Sequence, residues 1–304
     1  LVNHRDAGRV TRHYRVIAVT NDTQEQQVDV PADTAVEYLL VGGGGGAGTV
    51  FNAKYGGCGG AGALNEGFRR WEAATTLTVR LGVGGSHDAS NNGLPGLPTV
   101  VYAPAITCLP FEGDGGSQVT ERECRLLMAA GGGGGANCNS GIMGVVNDGS
   151  LGGTAMGGER AATNQGRGIY AHAGGIGYSS TYPGGGGGAG GVGGDGSASA
   201  AGTAGAGLIR AITGEAIEYA RGGDATTEET VPAALGYGGN LNQAGGSGVA
   251  IFRYEISDEQ YETLLAQLPK LAAKPKLAAD TAVYDGADHR PALPGSIGYE
   301  IRYS

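Results

Sequence analysis

Charge is scarce in this 304-residue chain: Asp, Glu, Lys and Arg make up 16% of it, and the balance is −9 at neutral pH. An acidic balance works against bulk attraction to nucleic acid, which is excluded as a partner. Cysteine is scarcer still. Cys58, Cys108, Cys124 and Cys138 form no Cys-x-x-Cys pair, and four thiols are too few to staple a disulfide scaffold, so they read as free and buried. The five histidines stand far from one another and from the cysteines, which leaves no zinc-type ligand pairing and no metal or other cofactor to expect. No apolar run approaches the roughly 18 residues of a membrane span, and no signal-peptide pattern is visible. Membrane insertion is not expected.

Glycine is what the chain has instead. It contributes 63 residues, about three times the average share, and all but Gly8, Gly286, Gly295 and Gly298 lie between Gly42 and Gly248. There is no Gly-X-Y register and there are only 11 prolines, so a collagen triple helix is excluded. Hydrophobic residues reach 40%, which argues for order rather than an entropic chain.

The glycine runs follow apolar strands. Gln26–Val30 alternates before a turn at Pro31, and Ala35–Val41 runs directly into Gly42–Gly46. Leu77–Leu81 leads into Gly82, and Cys124–Ala130 leads into Gly131–Gly135. A residue without Cβ loses the most entropy on ordering, so such runs stay ordered only if their amides find partners other than water. Extended left-handed glycine helices, three residues per turn, meet that need by bonding to neighbours in a lattice.

The fold class expected is therefore mainly β and irregular: a polyglycine-II-like helix bundle, or glycine-rich sandwich, flanked by β-strands. One short C-terminal α-helix is added. Ser257 is its N-cap, Gln260 the reciprocal capping residue, and Tyr261, Leu264, Leu265 and Leu268 share one face. The regions read as N-terminal strands over 1–41, a glycine-rich domain over 42–254, and a helix with a terminal strand over 255–304.

Catalytic signatures are missing. Gly43-x-Gly45-x-x-Gly48 follows a strand but opens no helix, so it lacks the anion-binding half of a dinucleotide fingerprint. No Gly-x-Ser-x-Gly occurs, and an enzyme is not expected. Side-chain chemistry sits in loops between the runs: Phe51 and Tyr55; His87 and Asn91; Tyr170, His172, Tyr178 and Tyr182. Tyr and Asn on loops suit recognition; for any single tyrosine the bland reading, a cap on the glycine bundle as a small satellite core, weighs more, while some exposed loop surface is expected to bind. Arg9, Arg12 and Arg15 form a basic N-terminal patch that, with the C-terminal helix, could dock on other proteins.

Val28–Gly48, Gly56–Gly67, Leu77–Ser86, Leu126–Ala136, Tyr182–Gly196 and Gly236–Tyr254, in that order, resemble the glycine-rich domains of bacteriophage tail fibres, tail-tip adhesins and related virion proteins. The segments 137–183 and 213–235 and the helical tail depart from that pattern. The resemblance implies a protein of the virion, extracellular when mature, whose loops bind a host-surface glycan or outer-membrane protein. Its other partners would be virion proteins and further copies of itself. The alternative is a structural joining or decoration protein without receptor contact. The chain also resembles the glycine-rich ectodomain region of certain animal receptor kinases, a disulfide-rich setting against which the sparse cysteines weigh.

Overall fold

The computed structural model describes residues 2–5, 11–48, 55–87, 92–103, 125–136, 149–150, 152, 170–179 and 181–267. The chain divides into two compact units, Leu1–Glu262 and Thr263–Ser304. The strands are β1 (Val2–Arg5), β2 (Thr11–Val19), β3 (Gln26–Val30), β4 (Thr34–Val41), β5 (Leu64–Trp71), β6 (Thr75–Arg80), β7 (Thr99–Tyr102), β8 (Arg125–Ala129), β9 (Leu208–Arg210), β10 (Ile217–Tyr219) and β11 (Val249–Ile256). Among the described residues one helix, α1, spans Asp258–Gln267. The fold is thus mainly β with one short helix, and its capping box forms as the spacing predicts: Ser257 N donates to Gln260 Oε1 and Gln260 N to Ser257 Oγ.

The strands make a five-stranded sheet ordered β1-β2-β11-β4-β5, a four-stranded sheet ordered β3-β6-β7-β8, and the hairpin β9-β10. All pairings are antiparallel. In central β11, Val249 to Phe252 are buried consecutively, the pattern of a strand covered on both faces. On one face Leu208, Ile212, Ile217 and Tyr219 pack against Leu39, Val41, Leu64 and Ile251. On the other, Asn65 Nδ2 donates to Met128 O and ties β5 to β8 of the second sheet.

Beyond the strands the glycine runs address one another with a step of three residues. Gly42, Gly45 and Gly48 donate to Ala63, Gly60 and Gly57; Gly43 and Gly46 donate to Leu97 and Leu94; Gly44 and Ala47 donate to Gly246 and Gln243. The carbonyls of the same run accept from Gly132 and Gly135, from Gly85, and from Gly239. Every amide from Gly42 to Gly48 is therefore paired, and the run has neighbours on all sides. Direction is not uniform: Gly57, Gly60 and Ala63 pair antiparallel with Ala136, Gly133 and Ala130, whereas Cys58 and Ala61 pair parallel with Gly184 and Gly187.

Glycine is required by close approach. A Cβ on Gly59 would fall far inside the 3.0 Å limit from Gly45 O, and one on Gly45 would meet Gly133 O in the same way. Such spacing leaves no room for a side chain at these positions.

Thr99 manages the change from sheet to runs. Fully buried, its Oγ1 donates to Val41 O at 2.6 Å and accepts from Gly82 N at 3.0 Å. The hydroxyl pairs two buried backbone groups where β4 and β6, one in each sheet, give way to glycine, and so links the two chain segments.

Candidate functional site

The hydrogen-bond register separates the molecule into a strand end and a loop end. From β4 the chain reaches Gly48 and returns through Gly57 to β5; from β6 it reaches Ser86 and returns through Gly93 and Leu94 to β7. Gly48 N to Gly57 O, Leu94 N to Ser86 O, Gly93 N to Gly135 O and Ala47 N to Gln243 O link these reversals side by side. The turn at Ser179–Tyr182 belongs to the same end, because Gly184, two residues beyond it, accepts from Cys58.

Four predicted recognition residues therefore share the loop end: Tyr55, His87, Tyr178 and Tyr182. Their environments differ. Tyr55 packs against a small core of Cys58, Ala225 and Leu241. The His87 ring is half-buried, and its Nδ1–H donates to Ala47 O at 3.2 Å. It stands where the next amide of its run would bond. Tyr178 is 61% exposed on a tight turn in which its N–H donates to Tyr182 O and Tyr182 N–H donates to Ser179 O.

Tyr170 and His172 lie toward the strand end instead. Tyr170 bridges Leu64 and packs on the core beneath β9 and β10, with Arg210 5.7 Å above its ring. His172 N–H donates to Ser150 Oγ, and its Nδ1–H donates to Gly188 O at 2.9 Å. Phe51 and Asn91 lie outside the described residues.

Sequence reading missed a further loop-end element, residues 224–229 with 240–243. Asp224 N donates to Asn240 Oδ1, Asn240 Nδ2 donates to Glu229 O, and Thr226 bonds Asp224 Oδ1 through both N and Oγ1. Asn242 adopts φ 60° and holds Glu228 Oε1 through Nδ2, while its buried Oδ1 has no partner. The available signal was the pair Asp224 and Asn240, each directly after Gly-Gly, since both residue types fold the backbone onto their own side chains.

Beneath this end lies the Cys58 thiol, fully buried and free. Burial pushes its pKa far above the ordinary value, and the carboxylate of Asp224 adds to the rise. Such a thiol stays protonated and inert. Cys108, Cys124 and Cys138 lie outside the described residues.

Of the predicted docking residues, Arg12 and Arg15 lie on β2 and Tyr261 in the first turn of α1. The His13 ring stacks on Tyr261 at 3.9 Å and 18°, and His13 Nε2 is 3.5 Å from Asp258 Oδ1. Arg12 pairs with Glu255 at 3.5 Å, and Arg15 is exposed. No residue of α1 is buried; Leu264 is half-buried and Leu265 is 43% exposed. Arg9 and Leu268 lie outside the described residues. Among the described residues no three His, Cys, Asp or Glu side chains are placed to share a metal ion, and no helix is long and apolar enough to cross a membrane.

No curated protein matches this sequence. A family model described as a glycine-rich domain matches residues 20–255, from the end of β2 through almost all of β11. The span holds both sheets' glycine-bearing strands and every run that bonds with the three-residue step, and the chain belongs to that glycine-rich domain family.

Proposed function

We propose that the glycine runs are polyglycine-II helices packed as a lattice, and that this lattice presents recognition loops of a bacteriophage tail-fibre or tail-tip protein to a host-surface molecule. The three-residue hydrogen-bonding step supports the first part, because a helix with three residues per turn points its amides in three directions in turn. Mixed parallel and antiparallel neighbours fit it as well. One observation carries the second part: the runs reverse at a common end, away from the sheets, and the exposed Tyr178 is there. A backbone lattice leaves almost no side-chain freedom between runs, so chemical variation is confined to such loops.

The protein acts in this reading without catalysis, in the virion, beside other virion proteins and further copies of itself. The partner is a glycan or outer-membrane protein. The joining or decoration role is favoured by a different observation, the exposure of Arg12 and Arg15 on β2.

The test is saturable binding of fluorescently labelled protein to a panel of intact bacteria, with Tyr178→Ala compared at equal melting temperature. Binding by the wild type that is lost in the variant supports receptor contact at the loop end. Absence of binding to every strain by folded protein turns the assignment toward the joining role.

A further inference from the structure

The segment 213–235 stood apart from the glycine pattern in the sequence, and its approach, Leu208–Gly214, builds a wall over the five-stranded sheet. The apolar side of this wall packs with Leu39 and Val41 of β4, Leu64 of β5 and Val249 and Ile251 of β11, with Val16 of β2 beside them. On the same face a cleft of about 750 Å³ is left, within the roughly 300–1,000 Å³ of small-ligand sites.

Its chemistry is specific. Glu37, opposite Arg253 on β11 and Phe68 on β5, accepts from Arg253 Nε at 2.6 Å. Glu66 accepts from Arg210 Nε at 2.6 Å and Nη2 at 2.7 Å, which ties the wall to β5. That fork is the leading reason the Arg210 pKa is raised. The charged lining consists of these two carboxylates and two guanidiniums, each side chain between 26% and 29% exposed. Arg253 also lies 5.2 Å over the Tyr14 ring. Phe68, at 77% exposure, is the most exposed of the large apolar side chains on the described surface.

Matched charges give the cleft no preference for an anion or a cation. What remains is a pair of planar, already ordered groups, each offering acceptor oxygens beside N–H donors, next to a bare aromatic ring. Neutral vicinal diols match that array, since each hydroxyl both donates and accepts. The C–H face of a sugar ring stacks on an aromatic surface and removes it from water. We infer that the cleft between β2, β11, β4, β5 and the 208–214 wall is a binding site for a neutral saccharide. The site is separate from the loop end and does not depend on the receptor reading made there.

The test is isothermal titration of the whole chain with soluble fragments of neutral glucan, mannan and galactan, alongside polysialic acid and heparin as charged probes. Saturable binding of at least one neutral fragment is expected, changing little with added salt. Phe68→Ala should weaken it by about tenfold or more at unchanged melting temperature, because the ring is exposed. Glu37→Gln should weaken it as well, and Tyr178→Ala should leave it intact. The inference is overturned if no neutral fragment binds, if only the charged probes bind, or if Phe68→Ala binds as the wild type does. Cell binding retained by Phe68→Ala and lost in Tyr178→Ala would keep the two sites distinct.

Discussion

Gly59→Ala and Gly191→Ala add the same methyl group at two places in the glycine-rich body and should move stability in opposite directions. At Gly59 the new Cβ would overlap Gly45 O and lie 2.9 Å from Gly239 N. The run cannot step aside without stretching Gly59 N to Gly239 O and Gly223 N to Gly59 O, both 2.9 Å. Crowding of a packed interior costs about 1–3 kcal/mol, and each buried backbone group left unpaired costs about 1–3 kcal/mol more. With one bond stretched so that one backbone group is left unpaired, the sum is roughly 2–6 kcal/mol, and for a body of this size about 2–4 °C of Tm follows each kcal/mol. Gly59→Ala should therefore melt roughly 5–20 °C lower. At Gly191 the nearest atoms to a Cβ are Ala206 N at 3.6 Å and Ala206 Cβ at 3.9 Å, ordinary contacts. Alanine there restricts the unfolded chain and should stabilise by about 0.4–1 kcal/mol. Differential scanning calorimetry of the two variants reads the contrast. Equal Tm values would refute the argument that interlocked backbones, rather than glycine content as such, hold the body together.

Thr99→Val keeps the shape of the side chain but leaves Val41 O and Gly82 N without the hydroxyl that pairs both. Urea unfolding should show a loss of about 2–5 kcal/mol, while Thr75→Val, at an exposed hydroxyl, should change little. Cys58 predicts a pH effect. Its folded pKa lies above the unfolded value of about 9, so its contribution is complete below that pH. Stability then falls as the unfolded thiol ionises, by about 1.4 kcal/mol per pH unit. Burial also raises Tyr219, Tyr237 and Tyr254, which adds to the fall at higher pH. Cys58→Ala should remove one proton's share of this slope in urea titrations between about pH 8 and 10; an unchanged slope would count against a neutral buried thiol.

How much of this fold could be read in advance follows from where side chains carry information. β3 occupies Gln26–Val30, the segment whose alternation predicted it, and the Ser257 and Gln260 cap forms because both partners lie within one turn. β5 escaped notice because Asn65, Glu66, Gly67, Arg69 and Arg70 interrupt its apolar pattern; cross-strand partners on β4 hold it in the sheet. β9 and β10 are three residues each, too short for a periodicity. The partner of each glycine run was not legible at all. A run with no side chains encodes only that something approaches closely, and the choice of neighbour comes from the strand or turn at its end.

The same logic explains why the loop tyrosines did not behave as one group. Tyr55, Tyr170 and Tyr178 all flank glycine, and sequence spacing treats them alike. Tyr55 sits within three residues of Cys58, where the glycine run ends and a side chain can pack, so it joins the small core there. Tyr170 precedes its run on the strand side and completes the packing under Arg210. Tyr178 alone stands on a two-ended turn with both flanking runs already paired, and nothing is left for its ring to cover. In a body whose interior is backbone, position relative to the end of a run decides whether an aromatic residue is structural or available. By that criterion Tyr178 at the loop end and Phe68 on the open sheet face stand, among the described residues, as exposed aromatic rings whose truncation should leave the packing intact.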